Sequence, residues 1–240
     1  MEGDGDQIRV AMWSGPRNIS TAMMRSFGVR ADTVVVDEPL YAHYLAATGL
    51  NHPGRGEVMA SQPTDWRDVA AGLVGRLPPG VKIEYQKHMA QHLLPGIDRS
   101  WLGALTHAYL IRDPDEVVAS YARVRDEPTL DDLGYAQQVE LFRAYGGPVV
   151  DARDVLRDPP RVLAALCRAL DIPYDGRMLR WAPGPRPTDG VWAKHWYGTV
   201  LASTGFAPYR PPTEPLPAHL RPLAHAARPF YEELHAVRLG

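Results

Sequence analysis

The stretch Ile8-Arg9-Val10-Ala11-Met12-Trp13-Ser14-Gly15-Pro16-Arg17-Asn18-Ile19-Ser20-Thr21-Ala22-Met23-Met24-Arg25-Ser26-Phe27-Gly28 sets the frame for the rest of the chain. An apolar run reads as a strand. A polar turn with Gly15, Pro16 and Arg17 follows, then Ser20-Thr21 opens a helix that Gly28 stops. A strand feeding a helix through such a turn aims several backbone N–H groups at one spot, and the helix dipole adds positive potential there. The turn is therefore read as an anion site. The strict nucleotide-hydrolase pattern G-x-x-x-x-G-K-[ST] is not met. Counted from Gly15, Ser20 stands at the second Gly, Thr21 at the Lys and Ala22 at the metal-ligating hydroxyl. Arg17 is the only cation inside the turn. Taken alone, the stretch also reads as an ordinary strand–turn–helix with a solvated Arg.

The chain has 240 residues, 45% of them hydrophobic, and a net charge of −2. That suits one sizeable α/β domain with a full core and argues against nucleic acid as the main partner. Three of its 26 basic residues are Lys (Lys82, Lys87, Lys194). The others are Arg, whose fixed fork of donors suits phosphate and sulfate oxygens. The single cysteine, Cys167, rules out an intrachain disulfide and a thiolate metal cluster. Its apolar helical setting reads as a buried structural thiol. Met1-Glu2-Gly3-Asp4-Gly5-Asp6 is acidic and polar, without a signal-peptide core. No stretch approaches a membrane span, so a cytoplasmic, membrane-free protein is expected.

Further along, residues 33–36 are β-branched and apolar and run into Asp37-Glu38-Pro39, a buried parallel strand. Residues 40–64 read as a long irregular loop. A helix is expected from Thr64-Asp65 to Leu77, where Pro78-Pro79-Gly80 breaks it. Residues 81–86 alternate as a strand, with Lys87-His88 at its end. A short helix (98–105) and a strand (107–111) ending at Arg112 come next. Asp113-Pro114-Asp115-Glu116 is a helix start, with Asp as N-cap, Pro at N1 and Glu at N3; that helix is carried through Val124. A helix over 131–145, a short strand over 148–151, a turn at 155–156 and an amphipathic helix over 159–170 complete the alternation. Residues 182–216 are rich in Pro and Gly around the aromatic run Val191-Trp192-Ala193-Lys194-His195-Trp196-Tyr197, and read as a flap. Residues 217–238 form a closing helix of the same domain, taken as 1–240. Repeated strand–helix alternation predicts a parallel sheet of about five strands, covered on both faces. Ligands then bind beyond the strands' carboxyl ends, which carry Ser14–Arg17, Asp37-Glu38, Lys87-His88, Arg112, and Asp151 with Arg153.

Together these segments resemble the sulfotransferase family that uses 3′-phosphoadenosine-5′-phosphosulfate. Residues 13–21 are similar to its 5′-phosphosulfate loop, whose bacterial forms read roughly S-x-P-R-S-G-S-T. Leu110-Ile111-Arg112-Asp113-Pro114, followed by a helix bearing Ser120, is similar to its 3′-phosphate motif. Asp151 to Leu170 with Ile172-Pro173-Tyr174 is similar to its E-D-L…P…L…L-G-I-P region. A plant and bacterial branch, sometimes labelled aminotransferase-like, shares these features. The resemblance covers about residues 8–180 and, more loosely, the flap. It implies an α/β, P-loop-type three-layer sandwich and sulfuryl transfer to a hydroxyl or amine of a small-molecule acceptor, with no metal expected. Ile19 stands where the family loop has Gly, Asn18 where it has a small residue, and Arg17 where many members have Lys. His88 directly follows Lys87, whereas eukaryotic members place a His two residues after their Lys.

On this reading Ser14, Gly15, Pro16, Arg17, Asn18, Ile19, Ser20 and Thr21 hold the phosphosulfate, and Arg112 and Ser120 hold the 3′-phosphate. Lys194 and His195 close over the donor, and Trp192 and Trp196 either stack on adenine or pack the flap. Arg112 has a plainer alternative, a salt bridge to Asp113 or Glu116. Sulfuryl transfer builds charge on the leaving phosphate, which positioned cations stabilise; Arg17 and Lys87 belong to that catalytic set. The acceptor needs a base. Glu38, buried at a strand end beside Pro39, is the first candidate; His88 is the second. Structural hydrogen bonding is the alternative for each. The rival functions are a kinase-like phosphotransferase on the same fold and a non-catalytic nucleotide-binding or interaction protein. A homodimer is left open.

Overall fold

Strand β1 (Ile8–Ser14) lies at the centre of the sheet because both of its faces are apolar. Val10 and Met12 point to one side, Ala11 and Trp13 to the other, and all four are fully buried, as a central parallel strand requires. The computed structural model describes residues 7–240; the acidic stretch Met1–Asp6 lies outside the described residues. From β1 the chain passes through α1 (Ser20–Gly28), β2 (Thr33–Asp37), α2 (Tyr41–Thr48), α3 (Arg55–Ser61) and α4 (Trp66–Leu73) to β3 (Ile83–Met89). Two 3₁₀ turns, Ala90–His92 and Ser100–Ala104, lead to β4 (Thr106–Ile111), α5 (Pro114–Tyr121), α6 (Leu130–Leu133), α7 (Tyr135–Tyr145) and β5 (Val149–Asp151). The remainder is helical or irregular: α8 (Ala152–Arg157), α9 (Pro159–Ala169), α10 (Ala193–Trp196), α11 (Gly198–Leu201) and α12 (Arg221–Ala236).

The five strands run parallel in the order β2-β3-β1-β4-β5. The chain steps from β1 out to the edge strand β2, returns to β3 beside β1, and then crosses to β4 and β5 on the other side, so the loop after β1 sits mid-sheet at the strands' carboxyl ends, the place ligands occupy in open α/β sheets. One face is covered by α1, α2, α8 and α9, the other by α4, α5, α7 and α12. This is the expected three-layer α/β sandwich. Among the described residues no helix is long and apolar enough to cross a membrane.

Several local expectations change. Residues 40–64 hold two helices instead of an irregular loop. Tyr41, Ala42, Tyr44 and Leu45 make one buried stripe, and the Gly residues that read as loop markers are caps: Gly49 ends α2 and Gly54 precedes α3, both with positive φ. The 131–145 helix is broken at Gly134 (φ 72°), which packs against Ala90 and Gln91. Lys87 and His88 lie inside β3, which runs on to Met89. The helix from Pro114 ends at Tyr121, and the turn at 155–156 is part of α8. The Asp113 cap is as read: its carboxylate accepts from the Asp115 N–H, with Pro114 in the first turn.

Residues 182–216 carry the two short helices α10 and α11. They are fastened to α1 by a buried ion pair, Arg25 Nη2 to Asp189 Oδ2 at 2.7 Å, with side chains 3% and 4% exposed. Removing one partner of such a pair strands the other charge. Asp189→Ala is expected to lower stability by about 3 kcal/mol, read as a lower urea midpoint at unchanged m-value. An unchanged midpoint would show that this pair does not hold the segment down.

Candidate functional site

The loop after β1 is shaped by close approach. A Cβ on Gly15 would run into the Leu133 carbonyl oxygen, so only Gly passes there. The buried Gln138 amide lies 3.2 Å from Leu110 O and 3.3 Å from Gly15 N, and bonds both with its NH₂ turned to the carbonyl. Asn18 Nδ2 donates to Leu110 O at 2.5 Å. These contacts tie the loop to β4 and α7. Arg17 (φ 57°) and Ile19 (φ 46°) both adopt left-handed backbone. Gly enters that region freely, whereas a β-branched residue there is strained. The turn is thus the one a Gly would form, kept with Ile19 packed against the apolar core. Ile19 cannot cap α1 with its side chain, so the N–H groups of Ser20, Thr21 and Ala22 have no intrahelical acceptor.

Three arginines crowd this end of α1. Arg17 Nε donates to Ser120 Oγ at 3.0 Å, and Arg112 Nη1 donates to the Arg17 carbonyl at 2.8 Å. Burial, then the fields of Arg112 and Arg123, lower the Arg17 pKa. Arg112 Nε donates to Glu116 Oε2 at 2.9 Å, so the plainer pairing holds on one side of its guanidinium. Nη2 donates to nothing among the described residues. Glu116 also accepts from Tyr209 Oη at 2.8 Å and lies 3.5 Å from Arg153. Sequence reasoning named Glu116 as a helix-start residue and as a possible partner of Arg112, and did not single out Tyr209.

Next to the loop, where β2 ends beside Lys87 of β3, a second cluster is buried. Lys87 Nζ donates to Asp37 Oδ1 (2.9 Å), Glu38 Oε1 (2.5 Å) and Tyr197 Oη (2.7 Å). Tyr197 donates its O–H to Asp37 and accepts from the Trp192 indole N–H at 3.1 Å. Asp37 also accepts from the Gly190 N–H. Burial alone would lower the Lys87 pKa, but Asp37 and Glu38 outweigh it and carry it well up. Glu38 is shifted upward, first by burial and further by Asp37, against the pull of Lys87. One ammonium faces two carboxylates, and Asp37 has the fuller hydrogen-bond set. Glu38 accepts from Lys87 alone, and its second oxygen takes no bond from the described residues. Its backbone is also left-handed (φ 42°) immediately before Pro39, a conformation that side chain and Pro both disfavour. Strain of this kind gathers at working sites.

The structure brings Arg17, Arg112, Ser120 and the loop together, and sets Glu38 with Lys87. It does not bring in the others. Strand alternation turns His88 to the opposite face of β3 from Lys87. It is stacked on Trp13 at 4.3 Å, bonded to Gln86, and pushed down to about 3 by burial and by His107. That is a neutral core histidine, not a base at the loop. Lys194 is paired with Glu57, and His195 lies against Gly54; their partners are in residues 54–57, away from the loop. Trp192 is 1% exposed and set edge-on to Tyr41, which leaves no face for a base. Tyr197 was missed, since only the aromatic density of 191–197 hinted at it.

A family model described as "Sulfotransferase domain" matches residues 8–238. The chain belongs to the sulfotransferase domain family. Its fold is similar to the sulfotransferase domain of the Synechococcus PCC 7002 olefin synthase, with a TM-score of 0.57, 18% identity and coverage of 94% of this chain and 97% of that one. It is also similar to a sulfotransferase from Alicyclobacillus acidocaldarius, with a TM-score of 0.55, 14% identity and coverage of 98% and 97%. In sequence it is 36% identical over 229 residues to Arabidopsis thaliana branched-chain-amino-acid aminotransferase-like protein 1, covering 93% of this chain and 41% of that protein. The second such protein is 35% identical over 200 residues, covering 81% and 35%. The chain thus spans about two fifths or less of the curated relatives it matches. Membership makes this sulfotransferase-family chain a transferase enzyme.

In this sulfotransferase-family site Lys87 is the only cation between two buried carboxylates. Lys87→Met is expected to cost about 3–5 kcal/mol, as for other broken buried pairs. Without the ammonium, Glu38, already raised by burial, is pushed further up and holds a proton in the folded state that the unfolded chain has released. The deficit should therefore be larger at pH 8 than at pH 5 in chemical denaturation. An equal deficit at both would mean that the carboxylates do not depend on Lys87.

Proposed function

We propose that this chain transfers a sulfuryl group from 3′-phosphoadenosine-5′-phosphosulfate to a hydroxyl or amine of a small-molecule acceptor. The observation that carries the donor reading is the Arg17 Nε–Ser120 Oγ hydrogen bond at 3.0 Å. It joins the loop after β1 to the helix after Arg112, so two anion-binding elements form one cationic surface. The arginines gathered there, with Arg17 disfavoured by its neighbours' charge, fit a ligand with more than one phosphate. When bound, the donor supplies an SO₃ group whose departure leaves negative charge on the 5′-phosphate. Arg17, the Ser20 and Thr21 hydroxyls and the N-terminus of α1 stabilise that charge. Arg112, through Nη2, and Ser120 hold the 3′-phosphate. Glu38 takes the acceptor's proton on its second oxygen, and Lys87 holds the other oxygen in place. Residues 182–216 act as a flap and 217–238 as a closing helix of one sulfotransferase-like domain, a role supported by Tyr197 reaching Lys87 and Asp37.

Calorimetry with adenosine 3′,5′-bisphosphate tests the donor site. Tight binding without metal is expected; binding of ATP with magnesium alone would favour phosphotransfer, and binding of neither would favour a non-catalytic role. Arg112→Ala should weaken the bisphosphate by about 2 kcal/mol, roughly 30-fold, for a lost charge-assisted contact; unchanged affinity would remove Arg112 from the 3′-phosphate site. Glu38→Gln should keep bisphosphate affinity and lower transfer by about 100-fold or more, as for loss of a general base. Because burial shifts Glu38 upward from 4.5, wild-type kcat/KM should climb as pH rises through its folded value, and the variant should lose that limb. The same shift means Glu38 stabilises the fold least once ionised, so Glu38→Gln should be no less stable than wild type at neutral pH. Full activity in Glu38→Gln would sink the assignment.

A further inference from the structure

Tyr197 lies between α10 and α11, 4% exposed, and its one oxygen serves three groups. Lys87 Nζ donates to it at 2.7 Å and the Trp192 indole N–H at 3.1 Å. The two Asp37 oxygens lie 2.8 and 2.7 Å from it. A phenol oxygen has one proton and two lone pairs. An ammonium and an indole can only donate, so they occupy the lone pairs, and the proton goes to Asp37. The direction of each bond is therefore fixed. Lys87 in turn uses its three N–H donors on Asp37, Glu38 and Tyr197, and none is left over.

The two carboxylates on Lys87 are not equally served. Asp37 also receives the Tyr197 O–H and the Gly190 N–H, whereas the Glu38 carboxylate receives only the ammonium among the described residues. Two of the donors on Asp37 thus come from residues 190–197, which follow directly on the Arg25–Asp189 pair that fastens them to α1. Without the phenol hydroxyl, Asp37 would keep only Lys87 and the Gly190 N–H. Lys87 would lose an acceptor at the same time, and the buried ammonium would be drawn toward the carboxylate that has lost a donor. Its bond to Glu38 would weaken, and a carboxylate that receives less hydrogen bonding keeps its proton to higher pH. Tyr41 of α2 and Tyr121 of α5 are further titratable groups in the field of Glu38, and burial raises both phenols, so they stay neutral. Tyr41 Oη is bonded to His52 Nδ1 at 2.9 Å, and its ring is stacked on His92, as is that of Tyr44. Burial shifts both imidazoles downward. The balance at Glu38 thus lies with Lys87 and Asp37, and Tyr197 touches both.

We propose that Tyr197 is a positioning residue for Glu38: its hydroxyl divides the Lys87 ammonium between the two carboxylates and so sets how readily Glu38 accepts a proton. The bearing of this on transfer rests on the reading of Glu38 as the base.

Two replacements at position 197 test it. Tyr197→Phe keeps the ring, whose centroid is 5.0 Å from Lys87 Nζ, and removes only the hydroxyl. A 3-fluorotyrosine in place of Tyr197 keeps every hydrogen bond but is a stronger donor to Asp37 and a weaker acceptor from Lys87. Glu38 is followed by NMR of protein labelled at the glutamate carboxyl carbons, its resonance being the one absent from Glu38→Gln. In Tyr197→Phe the Glu38 midpoint is expected to rise by about one pH unit, as for the weakening of one charge-assisted hydrogen bond. The fluorinated protein should move it the other way. A phenol that merely packs the segment would lower the urea midpoint of Tyr197→Phe and leave the Glu38 titration where it is. An unmoved titration in both proteins, or a shift of both in the same direction, overturns the proposal; if Tyr197→Phe does not fold, an unmoved titration in the fluorinated protein overturns it alone. Transfer by Glu38→Gln, measured with labelled donor on a panel of simple phenols, alcohols and amines, separates this from the base reading. Titrations that move as expected beside full transfer by Glu38→Gln keep Tyr197 as the positioning residue and remove Glu38 as the base. Unmoved titrations beside lost transfer keep the base and remove the role of Tyr197.

Discussion

One buried ammonium group governs this end of the molecule. Lys87 has 1% of its side chain exposed and contacts two carboxylates and a phenol. Burial of a lysine is tolerable only where such partners replace water. The partners come from β2 and from the segment after Gly190, so the contacts that keep Lys87 charged also fix the edge of the sheet against the segment above it. Because two carboxylates share one cation, the arrangement is one negative charge in excess. Burial raises the affinity of Glu38 for a proton, and the excess charge, which falls there because hydrogen bonding is poorest, raises it further.

The loop after β1 carries the opposite imbalance. Burial, and then the charges of Arg112 and Arg123, disfavour the charged form of Arg17, while Glu116 is the nearby carboxylate that pairs with Arg112. Left-handed backbone at Arg17, Ile19 and Glu38 places the strain at the ends of β1 and β2, where the two imbalances meet. A site with excess cation on one side and excess carboxylate on the other suits a reaction in which a leaving group gains negative charge while an acceptor loses a proton.

Much of this was legible in the sequence because it follows the chain. The apolar runs of β1 and β2, the Asp113-Pro114 cap and the turn from Ser14 to Thr21 are local patterns, and the strand-end rule assembled Arg17, Glu38, Lys87 and Arg112 from them. What was not legible depends on contacts between distant residues. Neighbours Lys87 and His88 look alike as a strand-end pair, yet once β3 runs on to Met89, alternation sends one to the site and the other to the core. Residues 40–64 look like loop because their Gly and Pro residues are caps, and Tyr41 and Tyr44 reveal a helix only when His92 supplies the surface they stack on. Tyr197 is 160 residues from Asp37, with no pattern connecting them. Ile19 looked anomalous beside a family Gly; its positive φ is one that Gly enters freely, and its side chain packs against the apolar core.

The contacts of Tyr197 also bear on how the two halves work together. Its hydroxyl accepts from Lys87 and Trp192 and donates to Asp37, so every hydrogen-bonding capacity of that oxygen is used. Displacing 190–197 from the sheet would take from Asp37 both the Tyr197 O–H and the Gly190 N–H. Asp37 would then compete more strongly for Lys87, and Glu38 would lose part of the only hydrogen bond its carboxylate receives. The position of this segment and the proton affinity of Glu38 are therefore one coupled quantity, set by whether residues 190–197 are seated on the sheet.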